Sequence, residues 1–340
     1  MWKMSTETAP IPLRRHALNG PAMGSRWSCV FWAAEGFDAG ALGRDLQAAV
    51  DRVEQQMSTW RPDSDLERLN AAPVGQWMPV PKALMTVLAT ALEIGRLSEG
   101  AFDIGVGDLV RAWGFGGGAR TPDPLRIAAC EGRPAFAAPK TLQLDPLGGR
   151  ARRLGPLRLD LSGIAKGFGV DELARVMGAA GLSSWLVGID GEMRAEGRKP
   201  DGRPWTVAQE KPDAGAREIL GILELSGAAV ATSGGYRHRA RVGERTASHT
   251  MDPRRGVPLD ADLAAVTVLA ETCMAADAWA TALLVTGAEH GPALARRLGL
   301  VALFVRADGS VVTVWPDASA AALPVAAPPV PIPERSPLPL

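Results

Sequence analysis

Between residues 184 and 233 the chain runs through five short segments, SWLVGI, MRAEG, WTVAQE, ILGILEL and AAVATS, parted by clusters of Gly, Pro and Asp. Apolar, β-prone runs bounded by turn residues read as strands. Successive strands joined by short turns pair antiparallel, because a parallel neighbour needs a crossover of a dozen or more residues. A doubly wound parallel sheet is therefore disfavoured, and an α+β chain is expected. Helices are read around this block from apolar spacings of three and four. They are placed at residues 41–60 (Leu42, Leu46, Val50, Val53, Met57), at 82–98 (Leu84, Val87, Leu88, Ala91, Leu92) and from about Lys166 (Val170, Leu173, Met177, Ala180). Pro62 breaks the first, and Asp63, Ser64 and Asp65 offer caps for a short one after it. Residues 24–32 are expected as the first strand, 141–144 and 157–161 as short strands, and AAVTVLA as a late one. VALFVR and SVVTVW, joined at Asp308-Gly309, are expected to close the fold as a hairpin.

Bulk properties narrow the function classes. The chain has 340 residues, 37 Lys plus Arg and 37 Asp plus Glu, so no global field points to a nucleic-acid partner. Cys29, Cys130 and Cys273 are odd in number and widely spaced, which speaks against a disulfide framework or a CxxC zinc site; they read as buried thiols. The start, MWKMSTETAPIPLRRHALNG, lacks the apolar run of a secretory peptide, and no stretch is long and apolar enough to span a membrane. Taken as given, the chain reads as cytoplasmic; removal of a leader would make it periplasmic. Residues 1–20 are expected as an N-terminal arm, 21–315 as the folded region, and 316–340, rich in Pro and Ala, as a disordered tail.

Several stretches carry chemistry. In ETCMAADAWATALLVTG, Asp277 and Thr281 are four apart, one turn on the same face of a helix, which suits two oxygen ligands of a hard cation such as magnesium. The alternative is that Asp277 caps or solvates the helix and Thr281 bonds back to its backbone. Residues 100–118 hold seven glycines and Asp103, without the spacing of a dinucleotide fingerprint or the lysine of a P-loop. LRLDLSGIAKG, from Leu157, delivers Asp160, Ser162 and Lys166 to a helix start, a plausible polar pocket for a phosphorylated ligand or else a capped helix with an exposed lysine. Trp60 at the end of the first helix is either a core aromatic or a ring that packs on a ligand. His249, three residues before Asp252-Pro253, is the one histidine set among such residues; a structural hydrogen bonder is the alternative to a catalyst.

Taken together, the segments resemble the FAD:protein FMN transferases, the ApbE family. The resemblance is carried, in order, by Met23-Gly24-Ser25, MSTW ending at Trp60, GAFD ending at Asp103 with WGFG from Trp113, DLSGIAKG from Asp160, TSGGYR from Thr232, SHTMDPRRG from Ser248 and ADAWAT ending at Thr281. It implies an α+β, ApbE-like fold with mixed or antiparallel sheets flanked by helices, and bound FAD and Mg2+. It also implies an enzyme that cleaves the FAD pyrophosphate, leaves FMN as a phosphoester on a Thr or Ser of a partner flavoprotein, and releases AMP. By position, Met23, Trp60, Ala101, Phe102, Asp103, Asp160, Lys166, His249, Thr250 and Met251 would hold FAD, while Gly163, Asp277 and Thr281 would hold the metal. His249 or an acid near the metal, such as Asp277, would serve the proton transfer. The other readings on the same scaffold are an FAD-binding or scavenging protein, and a pyrophosphatase making FMN and AMP without a protein acceptor. The chain departs from the family pattern at Gly105, at the turn Asp190-Gly191-Glu192 and at Gly235, all expected around the flavin pocket.

Overall fold

The computed structural model describes residues 12–116, 121–130, 138–212, 218–235, 239–242, 245–259, 262–315 and 325–330. The first strand begins earlier than the sequence suggests. β1 (Leu13–Ala22) turns back as β2 (Ser25–Ala34) through Met23 and Gly24, both at positive φ (46° and 75°). That two-residue turn matches the twist of a hairpin and puts Met23 at its tip. Part of the expected arm is therefore a strand, in which His16, Leu18, Gly20 and Ala22 turn inward while Arg15, Ala17, Asn19 and Pro21 are exposed.

α1 (Ala39–Met57) follows, capped by Asp38, whose Oδ1 accepts from the Ala41 N–H at 2.8 Å. Of the three caps expected for α2 (Asp65–Ala71), Ser64 takes the position and accepts from the Glu67 N–H at 3.0 Å. Then come β3 (Met78–Pro79), α3 (Lys82–Leu97), α4 (Gly107–Ala112), α5 (Pro124–Cys130), α6 (Ala138–Thr141), β4 (Leu142–Asp145) and β5 (Arg150–Arg153), with the small sheet ordered β3-β5-β4. Residues 157–161 are not a strand. Asn70 binds both backbone groups of Leu159, at 2.8 and 3.0 Å, and the Asp160 N–H donates to the Ile104 carbonyl at 2.8 Å. These bonds satisfy the backbone that a ladder would otherwise have used, and only one bridge, Val106 to Arg158, remains.

The chain continues through α7 (Ala165–Ala179), β6 (Trp185–Ile189), β7 (Glu192–Glu196), β8 (Trp205–Glu210), β9 (Ile219–Leu225) and β10 (Ala228–Gly234). It goes on with β11 (Arg239–Val242), β12 (Arg245–Ser248), β13 (Met251–Asp252), β14 (Val257–Pro258), β15 (Leu263–Ala270), α8 (Cys273–Arg297), β16 (Val301–Arg306), β17 (Val311–Val314) and β18 (Val325–Val330). The main sheet has eight strands in the order β1-β2-β6-β7-β10-β15-β16-β17, and every neighbouring pair is antiparallel. The β-rich block does pair antiparallel, but it divides between two sheets. β8 and β9 leave the main sheet and pack on one face of it, Trp205, Leu223 and Leu225 meeting Ala228, Val230 and Leu269. The other face carries the helices, with Val170, Leu173 and Met177 of α7 packed among Leu46, Val50, Trp27 and Val187.

Within the proline-rich tail, β18 pairs antiparallel with β9, with Val325 opposite Leu225. The edge of β9 offers the backbone groups that such a segment can pair with. The remaining tail, and Gly117, Gly118 and Tyr236 to His238 among the motif residues, lie outside the described residues. Cys29 and Cys273 are buried as expected, while Cys130 is only half-buried near the end of a short helix. Among the described residues, no helix is long and apolar enough to cross a membrane.

Candidate active site

A cavity of about 790 Å³ opens where the β1–β2 turn, residues 101–106, the start of α7, the β6–β7 turn, β8, the end of β10, residues 249–253 and α8 converge. The junction of α7 and α8 forms one wall. Gly167 is the third residue of α7, where an N–H has no helical acceptor, and it donates instead to Asp277 Oδ2 of α8 at 2.9 Å. Asp277 thus caps a helix, as one sequence alternative held, but that helix is α7 and not its own. The approach requires glycine: a Cβ at residue 167 would lie 2.3 Å from the Cys273 carbonyl oxygen and 2.7 Å from the Asp277 Cβ.

Burial, then the neighbouring charge of Glu192, pushes the Asp277 carboxyl up to about 7, against the pull of Lys166 and of the Gly167 N–H. One turn along α8, Thr281 Oγ1 lies 2.9 Å from Ser233 Oγ of β10. Gly163 faces the same hydroxyl, since a Cβ there would sit 3.2 Å from Thr281 Oγ1. The three expected metal ligands therefore share one corner of the cavity. Their oxygens are of the hard type that magnesium takes. Among the described residues no group of three or more His, Cys, Asp or Glu side chains could hold a metal, so an ion here would draw on one carboxylate, neutral oxygens and its ligand's phosphates.

Lys166 reaches across to the β6–β7 turn, with Nζ 2.7 Å from Glu192 Oε1 and 3.6 Å from Asp190 Oδ2. Burial works against its charge, but Glu192, Asp277 and Asp190 outweigh burial and hold the ammonium more firmly protonated than an ordinary lysine. The Asp190-Gly191-Glu192 departure thus supplies the partners of this lysine. The sequence reading treated these residues only as a turn, and Asp190 does occupy one, at φ 58°. Nothing in the local sequence joins Glu192 to a lysine 26 residues away.

The opposite wall is built of loops. Asp103 accepts from the Gly105 N–H at 2.7 Å and from the Ala138 N–H at 3.1 Å, which folds residues 101–105 over the cavity. Burial raises its carboxyl pKa against those two bonds. Asp160 is likewise raised by burial and accepts from the Ser162 N–H at 2.8 Å. In the turn that bears His249, Thr250 and Met251, the Thr250 N–H donates to Ser248 Oγ at 3.2 Å and Asp252 accepts from the Arg254 N–H at 2.9 Å. The His249 ring meets Phe115 edge-on, 6.3 Å between centroids.

Of the expected site residues, Met23, Ala101, Phe102, Asp103, Asp160, Gly163, Lys166, His249, Thr250, Met251, Asp277 and Thr281 all line this cavity. Trp60 does not: it sits in the turn after α1, 53 % exposed, with its N–H on Ser58 Oγ. No local pattern pointed to a polar group on the far wall, where Gln209 Nε2 donates to Thr267 Oγ1 at 2.8 Å and that hydroxyl meets Thr232 Oγ1 at 2.8 Å. Gly235, another departure, is tight against this region, since a Cβ would lie 3.1 Å from Ser248 Oγ.

Comparison with known proteins gives the family. The chain matches the ApbE family over residues 23–304. It is 34% identical to an FAD:protein FMN transferase of Klebsiella pneumoniae over 88% of this chain and 86% of that one. It is 32% identical to the Escherichia coli K12 protein of the same name over 90% of each. Among solved structures it superposes on the flavinyl transferase ApbE of Pseudomonas stutzeri with a TM-score of 0.77, at 36% identity, covering 90% of this chain and 97% of that one. On the flavin transferase ApbE of Vibrio cholerae the TM-score is 0.79, at 34% identity, covering 90% and 98%. With the model matching most of its length, the chain belongs to the ApbE family.

Proposed function

We propose that this ApbE-family enzyme is a magnesium-dependent FAD:protein FMN transferase, in which FMN passes from FAD to a Thr or Ser hydroxyl of a partner flavoprotein and AMP leaves. The observation that carries this reading is the meeting of Asp277, Thr281 and Gly163 with Lys166 in one corner of a cavity large enough for a dinucleotide. The names of the relatives give the reaction class; the residues support the division of labour. Asp277, Thr281 and the Gly163 carbonyl would hold the ion, which supplies charge neutralisation at the pyrophosphate. Lys166, kept protonated by Glu192 and Asp190, offers a fixed positive charge beside that corner. Asp103 holds the 101–105 loop closed over the ligand space, and the turn at 249–251 borders it from the other side.

In the transfer, the acceptor oxygen forms a bond to the FMN phosphorus as the bond from that phosphorus to the AMP oxygen breaks. The hydroxyl proton goes to a base on the protein. His249 is the assigned base, because it lines the cavity and carries an imidazole that can accept a proton, whereas Lys166 is held as a cation. Incubating the protein with FAD, magnesium and an acceptor domain bearing a Thr or Ser, then weighing the acceptor, tests the proposal. A gain of one FMN residue with one AMP released is expected. AMP release with an unmodified acceptor would mean hydrolysis, and retention of FAD without AMP would mean binding alone.

A further inference from the structure

The junction of α7 and α8 holds a second aspartate that the reaction scheme leaves unused. Asp171 is four residues beyond Gly167 on α7, one turn along the same face. Its Oδ1 accepts from the Cys273 N–H at 3.0 Å and its Oδ2 from the Met274 N–H at 2.9 Å, the first two residues of α8. Cys273 in turn is four residues before Asp277. The two helices are therefore joined by two rungs running in opposite senses. Asp277 of α8 caps the first turn of α7 through Gly167, and Asp171 of α7 caps the first turn of α8. Arg194 of β7 pins Asp171, donating to Oδ1 at 2.6 Å, two residues along the strand from the Glu192 that pins Lys166.

We infer that Asp171 is a positioning residue: it fixes the register of α8 on α7, and through that register the place of Asp277 and Thr281 beside Gly163. The argument is geometric. A helix can slide or rotate about a single contact, whereas two rungs one turn apart fix both translation and rotation. The glycine at 167 allows the helices to approach closely but cannot set their register, because it has no side chain to lock. Asp171 lies outside the set of residues that line the cavity; it reaches the site through its bonds to α8, and its charge also acts on the Asp277 carboxyl. The consequence for metal binding rests on the reading of Asp277 and Thr281 given above; the register itself does not.

Two measurements on the full chain test this. In Asp171→Asn, amide hydrogen exchange should quicken about tenfold at Gly167, whose acceptor is Asp277, as well as at Cys273 and Met274. Mn2+ affinity, measured by calorimetry without turnover, should weaken about tenfold, and in Arg194→Met, which unpins Asp171 and so loosens its rung to α8, by about threefold. If exchange quickens at Cys273 and Met274 while Gly167 stays protected, Asp171 is a helix cap and the inference is overturned. Should Asp171→Asn fail to fold, Arg194→Met decides: parental protection at Gly167 together with parental Mn2+ affinity overturns the inference. If the parent protein binds no Mn2+ but protection at Gly167 falls in Asp171→Asn, the positioning role stands and the metal reading of Asp277 is what fails.

Discussion

The two walls of the cavity are held by different kinds of bond. On the turn wall, residues 248–254 hold contacts two residues apart, Thr250 to Ser248 and Arg254 to Asp252, beside a few longer ones such as Arg254 to the Val285 carbonyl. On the helix wall, Gly167 and Asp277 are 110 residues apart, and Asp171 and Cys273 are 102 apart. The turn is shaped largely by its own sequence. The helix wall exists only when α7, α8 and β7 are packed together, and burial then gives its charges their force. Lys166 and Glu192 at 2.7 Å, with Glu192 almost wholly enclosed, interact much more strongly than an exposed pair would. The lesson is that placement of the expected ligands depends on long-range packing, while contact with the rest of the substrate depends more on local turns.

Mutations can break either wall. The largest effect is expected from Asp277→Ala, which removes both the expected ligand and the cap of α7. Release of AMP from FAD should fall by about a thousandfold, on the scale of losing a main electrostatic group, while circular dichroism still shows a folded protein. Full activity would remove Asp277 from the metal site. On the turn wall, His249→Ala should lower kcat about a hundredfold with FAD affinity little changed, as for the loss of a general base. A loss confined to affinity would make His249 a binding residue and pass the proton to an acid.

Smaller effects separate the walls by stability. Gly167→Ala drives a methyl group into the Cys273 carbonyl, so the helices must part, at a cost of about 2 kcal/mol in urea unfolding. Turnover should fall with it because Asp277 moves. Asp252→Ala loses the bonds to the Arg254 N–H and guanidinium, for about 1 kcal/mol, and changes turnover less than Gly167→Ala does. If the ranking of these two were reversed, the turn and not the helix junction would be the more constraining wall.

Particular residues show how far the sequence could be read. The periodicity of Leu42 to Met57 and the cap at Ser64 were legible because both express themselves over a few residues. The spacing of Asp277 and Thr281 was legible as a shared helix face, and GAFD, DLSGIAKG and SHTM could be matched as local motifs whose residues meet at the cavity. The strand expected at 157–161 fails for a reason no window contains, since Asn70, 89 residues upstream in sequence, takes the backbone of Leu159. Trp60 lies outside the cavity lining: an aromatic ring at a helix end has no spacing that tells which way the next turn will carry it, and here it is exposed.

By itself, the sequence determined the antiparallel character of the sheets, the order of the helices and the residue types available for phosphate and metal chemistry. Those properties follow from short-range periodicity, turn chemistry and side-chain inventory. Only the tertiary structure decided that β8 and β9 leave the main sheet, that Glu192 serves Lys166, and that Asp277 and Asp171 cap each other's helices. These depend on which buried N–H groups and charges lack a partner after packing. A buried polar group must be satisfied by whatever the fold brings within about 3 Å, however distant in sequence.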